Sequence, residues 1–230
     1  FLHERCRLVH TDLKLENVLL VGSATVRVLV PDSPARCGVV PRDMASSSEA
    51  PPQPYVRPAV PHVKLIDFGG ATYLRAGELN RGIINTRQYR SPEVVLEAGW
   101  SFPSDMWSLG CILMELYTGE LLFQTHDDWE HLALMERVVG ARFPDHLVRS
   151  CAKRGAYFSA STGAVRWPGQ STRGFAVDHV QRTGSFRSTI FAAAATAAAA
   201  PTTPSTSTGP ASDGDAEAFA HLVARMLVLD

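Results

Sequence analysis

The segment Asp12-Leu13-Lys14-Leu15-Glu16-Asn17 runs directly into Val18-Leu19-Leu20, and downstream Val63-Lys64-Leu65-Ile66 runs into Asp67-Phe68-Gly69. Two short apolar runs of strand type, each joined to a polar cluster, constrain this chain more than any other feature, because pairing the strands carries both clusters to one end. That end gathers Asp12, Lys14, Asn17 and Asp67. A carboxylate can accept the proton of an attacking hydroxyl and an ammonium can meet a moving phosphate. An amide and a second carboxylate are hard oxygen ligands suited to Mg²⁺. Asp12 and Lys14 stand two apart, so an extended loop turns both toward one site, and Asn17 follows within the same loop. Singly these signals are weak: Asp-x-Lys is commonly a solvated charge pair, and Asp-Phe-Gly a common turn.

Their order is more specific. The loop with Asp12, Lys14 and Asn17, then the strand ending in Asp67-Phe68-Gly69, then Ser91-Pro92-Glu93 resembles the protein-kinase set of His-Arg-Asp, Asp-Phe-Gly and Ala-Pro-Glu. A second motif narrows the resemblance. Glu130-His131-Leu132-Ala133-Leu134-Met135-Glu136-Arg137 differs at one position from the motif that names the LAMMER (CLK-like) dual-specificity kinases of the CMGC group. Thr11 stands where most kinases carry the arginine of His-Arg-Asp, as in LAMMER kinases, and Arg90 matches the arginine before Ala-Pro-Glu in the CMGC group. Gly99 to Asp105, Thr125-His126-Asp127, and a hairpin from Tyr157-Phe158 to Val165-Arg166-Trp167 also resemble that family. Leu15 departs from the proline usual after the loop lysine, which lessens rigidity and removes no ligand.

This resemblance implies an α+β protein-kinase-like fold, here the mainly helical large (C-terminal) lobe, with short strands at the active site and the small lobe missing. It implies transfer of the ATP γ-phosphoryl group to Ser or Thr hydroxyls, with Tyr autophosphorylation, and ATP and Mg²⁺ as cofactors. Asp12 is then the base that orients the hydroxyl, Lys14 the γ-phosphate contact, and Asn17 and Asp67 the metal ligands. Thr86 supplies a hydroxyl bridging Asp12 and Lys14, and Leu19 and Ile66 belong to the apolar floor under the adenine. Asp105 is expected to accept backbone N–H bonds from the catalytic loop. Without the usual arginine at Thr11, dependence on activation-loop phosphorylation is expected to be weak. The expected partners are Arg/Ser-rich splicing factors in the nucleus, with the cytoplasm as a second location, and Glu16, Asp127 and Asp128 are candidate acids for an Arg-rich peptide, although solvated surface acids are the commoner reading. Tyr89 reads as a packed aromatic rather than a phosphorylation site.

Composition adds exclusions. A formal net charge of -1 with both signs mixed gives no bulk attraction for nucleic acid or a membrane surface, and a monomer is expected. Cys6, Cys37, Cys111 and Cys151 lack metal-ligand spacing or a disulfide framework and read as reduced thiols. No apolar run approaches the roughly 20 residues of a membrane span.

The organisation expected is one partial kinase domain over residues 1–230, interrupted twice. Residues 21–62 hold a Ser/Pro/Ala-rich insertion, with Thr25 to Val30 of strand character before it, and 191–214 is Ala-rich and then Pro/Ser/Thr-rich. Ser104 to Tyr117, with Ser104 as N-cap and Gly119 as C-cap, predicts a helix buried on most sides. Asp127 to Glu130 predicts a capping box, and Asp215 to Leu229 an amphipathic helix with Phe219, Leu222, Val223, Met226 and Leu227 on one stripe. The lysines are Lys14, Lys64 and Lys153, and no Gly-x-Gly-x-x-Gly occurs. A kinase nucleotide site needs both a Gly-rich loop and a strand lysine, so the chain is expected to be part of a longer protein. The other class left open is a catalytically inactive lobe acting as a protein-binding module.

Overall fold

The computed structural model describes residues 1–28, 55–169, 172–198 and 213–229. The Ser/Pro/Ala-rich stretch through residue 54 and the run 199–212 lie outside the described residues. Three antiparallel strand pairs lie at the start of the chain. β1 (Leu8–Val9) is followed by β2 (Val18–Leu20), β3 (Thr25–Val28), β4 (Tyr55–Pro58), β5 (Val63–Leu65) and β6 (Thr72–Tyr73); β1 pairs with β6, β2 with β5 and β3 with β4. The two ends of the expected insertion are therefore tied together by β3 and β4.

In the β2–β5 ladder Val18 stands opposite Leu65 and Leu20 opposite Val63, and the Ile66 amide donates to the Asn17 carbonyl at 3.0 Å. Pairing thus sets Asn17 beside the start of the Asp67 turn, as the sequence predicts. Leu19, Leu20, Val63, Leu65 and Ile66 are nevertheless exposed, so this hairpin presents an apolar face.

The helices build the rest. α1 (Pro92–Val95) leads into α2 (Pro103–Thr118), α3 (Asp128–Val139), α4 (Asp145–Ser150), α5 (Arg154–Tyr157), α6 (Gly174–Arg182), α7 (Phe186–Ala198) and α8 (Asp213–Ala224). α2 is the central helix: Trp107, Cys111, Ile112 and Met114 are all buried, and the Trp107 ring stacks on Phe123 with centroids 5.7 Å apart. Its N-cap is Phe102 rather than Ser104. Pro103, with its φ fixed at a helical value, takes the first helical position, and the Ser104 hydroxyl donates to the Ser101 carbonyl at 2.9 Å instead of capping an amide. Gly119 ends the helix at φ 76 as expected.

Two close approaches fix the helices around α2. At Gly110 an added Cβ would lie 2.9 Å from Leu227 Cδ2, so the turn after α8 packs directly on α2 backbone. The α8 helix buries Ala216, Ala220 and Val223, followed by Leu227, while Leu222 is exposed. The small alanines, not Leu222, face inward because α7 and α2 come close there. Phe186 and Ile190 are buried, Phe191 packs against the same core, and Arg187 joins Glu217 across α7 and α8 at 2.7 Å. The head of the Ala-rich run is therefore part of a packed helix.

α3 carries the LAMMER-like motif. Asp127 caps it by accepting the Glu130 amide at 2.8 Å, while the Glu130 carboxylate accepts the Thr125 hydroxyl at 2.9 Å rather than closing the box on Asp127. His131, Leu132, Ala133, Leu134, Met135 and Val138 are all buried, so the motif is a core element on nearly every side. Phe158 bridges Val165 in the small hairpin that the sequence predicts, turned at Gly163 with φ 67.

Candidate active site

The loop from His10 to Asn17 is held from below by α2. Asp105 is buried, and its carboxylate accepts the His10 amide at 2.8 Å and the Thr11 amide at 3.1 Å, with His3 Nε2 at 2.8 Å. A buried carboxylate requires donors of this kind. These bonds hold Thr11 at φ 70, a conformation that costs a β-branched residue about 1–3 kcal/mol and persists only where surroundings over-determine it. Thr11 is fixed on two further sides: its hydroxyl donates to the Gly70 carbonyl at 2.9 Å, and its own carbonyl accepts the Asn85 amide at 2.9 Å. The catalytic-type loop, the Asp67 turn and the segment after Ile84 thus meet at one residue.

His10, fully buried, joins the same elements. Its Nδ1 accepts the Asp12 amide at 3.3 Å, which leaves Nε2–H to donate to the Ile66 carbonyl at 2.9 Å, and its ring meets Phe68 edge-on at 4.8 Å. The sequence marks His10 only as part of His-Thr-Asp; this structural role needs partners 56 residues away.

Asp12, Lys14 and Thr86 converge. Lys14 Nζ donates to Asp12 Oδ2 at 2.9 Å and to Thr86 Oγ1 at 3.2 Å, while the Thr86 hydroxyl and amide both donate to Asp12 Oδ1 at 2.9 Å. Burial alone would push the Asp12 carboxyl up, but the Lys14 and Thr86 bonds outweigh it and hold it below its usual range; Lys14 is raised, chiefly by its bond to Asp12. The pair is therefore charged at neutral pH. A depressed carboxylate is a weak base that orients a hydroxyl well and takes its proton late, as a loose phosphoryl-transfer transition state asks.

Asn17 and Asp67 complete the set. Asn17 Nδ2 donates to the Asp12 carbonyl at 2.9 Å, which leaves its amide oxygen as the available acceptor. Asp67 sits at φ 63 with an exposed carboxylate that has no hydrogen-bond or ion-pair partner among the described residues. An amide oxygen and a carboxylate, both without a partner among the described residues and beside a loop lysine, are the donor set that Mg²⁺ with a polyphosphate takes, so these residues fit the expected group. Leu19 and Ile66 lie on the exposed hairpin beside them.

The segment carrying Thr86 is fastened at several points. Arg90 donates to the carbonyls of Ile84 and Asn85, both at 3.0 Å, and the Tyr89 carbonyl accepts the Ser108 hydroxyl at 2.7 Å. Tyr89 is 3% exposed and its phenol bonds Glu115 at 2.5 Å, the packed aromatic expected. Two of the three candidate substrate-binding acids are otherwise engaged: Asp127 caps α3, and Asp128 pairs with Arg87 at 2.6 Å, leaving Glu16 exposed. Acids at a helix start are drawn into capping and local pairing before they are free for a ligand.

A family model described as the protein kinase domain matches residues 1–158. The chain belongs to the protein kinase family. Within it, the resemblance to LAMMER-type kinases holds. The chain is 40% identical over 181 residues to the dual specificity protein kinase lkh1 of Schizosaccharomyces pombe, covering 79% of this chain and 23% of that protein. It is 45% identical over 170 residues to the serine/threonine-protein kinase AFC3 of Arabidopsis thaliana, covering 73% of this chain and 38% of that protein. A crystallised kinase domain superposes with a TM-score of 0.61 at 34% identity, over 80% of this chain and 50% of that one. The chain thus spans well under half the length of these curated kinases. Its described residues form a mainly helical kinase fold with short strands at the site. Among those residues no helix is long and apolar enough to cross a membrane.

Proposed function

We propose that the protein carrying this chain is a dual-specificity protein kinase that transfers the ATP γ-phosphoryl group to Ser and Thr hydroxyls, with Arg/Ser-rich splicing factors in the nucleus as its substrates. The observation that carries the reading is the closed set Asp12–Lys14–Thr86, in which one carboxylate oxygen takes both Thr86 donors and the other takes Lys14. Asp12 orients the acceptor hydroxyl and receives its proton. Lys14, held charged by Asp12, faces the transferring phosphate. Thr86 keeps both side chains in register, and Asn17 and Asp67 offer the oxygens that hold Mg²⁺. When bound, Mg-ATP supplies the phosphoryl group and the charge neutralisation of its transfer. Leu19 and Ile66, which alternation puts on one face of the hairpin, give the adenine an apolar floor, which accounts for the exposure of those two side chains.

The substrate assignment rests on the LAMMER resemblance, including Thr11 and the motif in α3. Incubating the full-length gene product with Mg-ATP and either an Arg/Ser-rich or an acid-rich peptide tests it. Phosphoserine and phosphothreonine on the Arg/Ser peptide are expected. Preference for the acidic peptide would remove the splicing-factor assignment, and ATP binding without transfer would favour a non-catalytic binding module.

A further inference from the structure

Thr86 touches Asp12, and the next residue reaches outward to α3. The Arg87 guanidinium donates to Asp128 Oδ1 at 2.6 Å, and the Tyr157 hydroxyl donates to the other oxygen, Oδ2, at 3.0 Å. Tyr157 is buried, and the Trp129 ring meets it edge-on at 5.3 Å while the Trp129 indole N–H donates to the Ala156 carbonyl at 3.2 Å. Asp128 is thus gripped from two elements, α5 and the segment holding Thr86. It also stands at the first position of α3, where the helix dipole favours a carboxylate. Asp127 already serves as the cap, so Asp128 is not needed for that.

We infer that Asp128 is a positioning residue for phosphoryl transfer: through Arg87 it fixes the Thr86 peptide, and hence the orientation of Asp12 and Lys14, against the α3–α5 corner. The inference rests on the kinase reading above. Arg87 begins the single turn Arg87–Tyr89, so a guanidinium held at one place sets the direction in which the preceding Thr86 amide and hydroxyl point. A displacement of about 1 Å in such a constellation can cost on the order of 100-fold in rate. A surface ion pair alone would not predict any catalytic effect. The distinguishing feature is that one end of this pair is adjacent in sequence to a residue bonded to Asp12.

Steady-state kinetics on the full-length protein test this, at a temperature well below the melting point of every variant. Asp128→Asn is expected to lower kcat about 10-fold with KM for ATP unchanged, an orientation effect of the kind described. Tyr157→Phe, which removes one bond to Asp128 and keeps the ring, should lower kcat by a smaller factor. The charge-exchanged pair Arg87→Asp with Asp128→Arg should recover kcat relative to either single substitution. An active enzyme whose kcat is indifferent to Asp128→Asn, or a charge exchange no better than the single variants, would overturn this inference and leave the kinase reading intact. An unsubstituted protein that transfers no phosphate would overturn the kinase reading itself, and this inference with it.

Discussion

Replacing Asp105 is the substitution whose cost follows most directly from the structure. Asp105 is 2% exposed and accepts two backbone N–H groups, those of His10 and Thr11, at 2.8 and 3.1 Å. Asp105→Ala leaves both buried donors unsatisfied, at about 1–3 kcal/mol each. The sum, about 2–6 kcal/mol, is a large share of the ~5–15 kcal/mol by which a domain is stable. Asp105→Asn keeps one carbonyl acceptor and turns an NH₂ toward the other donor, so about 1–3 kcal/mol is expected. With a urea m-value of about 2 kcal/mol/M, the alanine variant should move the unfolding midpoint down by about 1–3 M and the asparagine variant by roughly half that. Amide hydrogen exchange adds a local readout: the protection of His10 and Thr11 should fall before that of α3. A midpoint for Asp105→Ala within about 0.3 M of the unsubstituted protein would show that the two loop amides do not depend on Asp105, as would an asparagine variant less stable than the alanine one.

Other outcomes follow from single contacts. Gly70→Ala would set a Cβ 2.9 Å from Thr11 Oγ1, so it should slow peptide phosphorylation more than it lowers the urea midpoint, and equal phosphorylation rates would contradict the Thr11–Gly70 link. Gly110→Ala puts a Cβ 2.9 Å from Leu227 Cδ2 and should cost about 1–3 kcal/mol of overpacking, read as a lowered melting temperature. The His131 imidazole is fully buried, with neither ring nitrogen hydrogen-bonded among the described residues, and burial followed by Arg87 and Arg90 pulls it down to about 3. Because the folded value is depressed, the unfolded chain takes up the proton first. Stability is then complete above about 6.5 and is lost as pH falls toward 3; His131→Leu should flatten that decline and not lower the urea midpoint at pH 7. Asp12 and Asp128 are also depressed, below the ordinary carboxylate value of 3.8, by bonds that outweigh burial. The stability they add is present above that value and lost below it, so Asp12→Asn should flatten the acid limb of a midpoint-versus-pH series.

The sequence made the catalytic loop legible because spacing alone puts Asp12, Lys14 and Asn17 together, and strand pairing alone brings Asp67 near. Thr86 became legible only through the family pattern, since the contact with Asp12 spans 74 residues. The link from Arg87 to Asp128 and Tyr157 had no local signal, because an ion pair between residues 41 apart leaves no periodicity. Side-chain type misled twice. Ser104 suggested a cap, but Pro103 preset the first turn, and Leu222 suggested a buried stripe where close backbone approach required Ala216 and Ala220. The apolar β2–β5 pair was legible as strands, but its exposure was not, because a hydrophobic run states a preference for burial without naming what covers it.

We propose above all that Asp12 serves phosphoryl transfer. Its most direct test is the rate at which the full-length protein moves the γ-phosphate of ATP to an Arg/Ser-rich peptide, measured with Asp12 intact and with Asp12→Asn. The asparagine keeps the acceptor oxygen but has no charge with which to orient and receive a proton, so transfer should fall by about 100-fold or more while peptide and ATP still bind. Transfer at an undiminished rate in the Asp12→Asn protein would show that Asp12 does not serve the transfer.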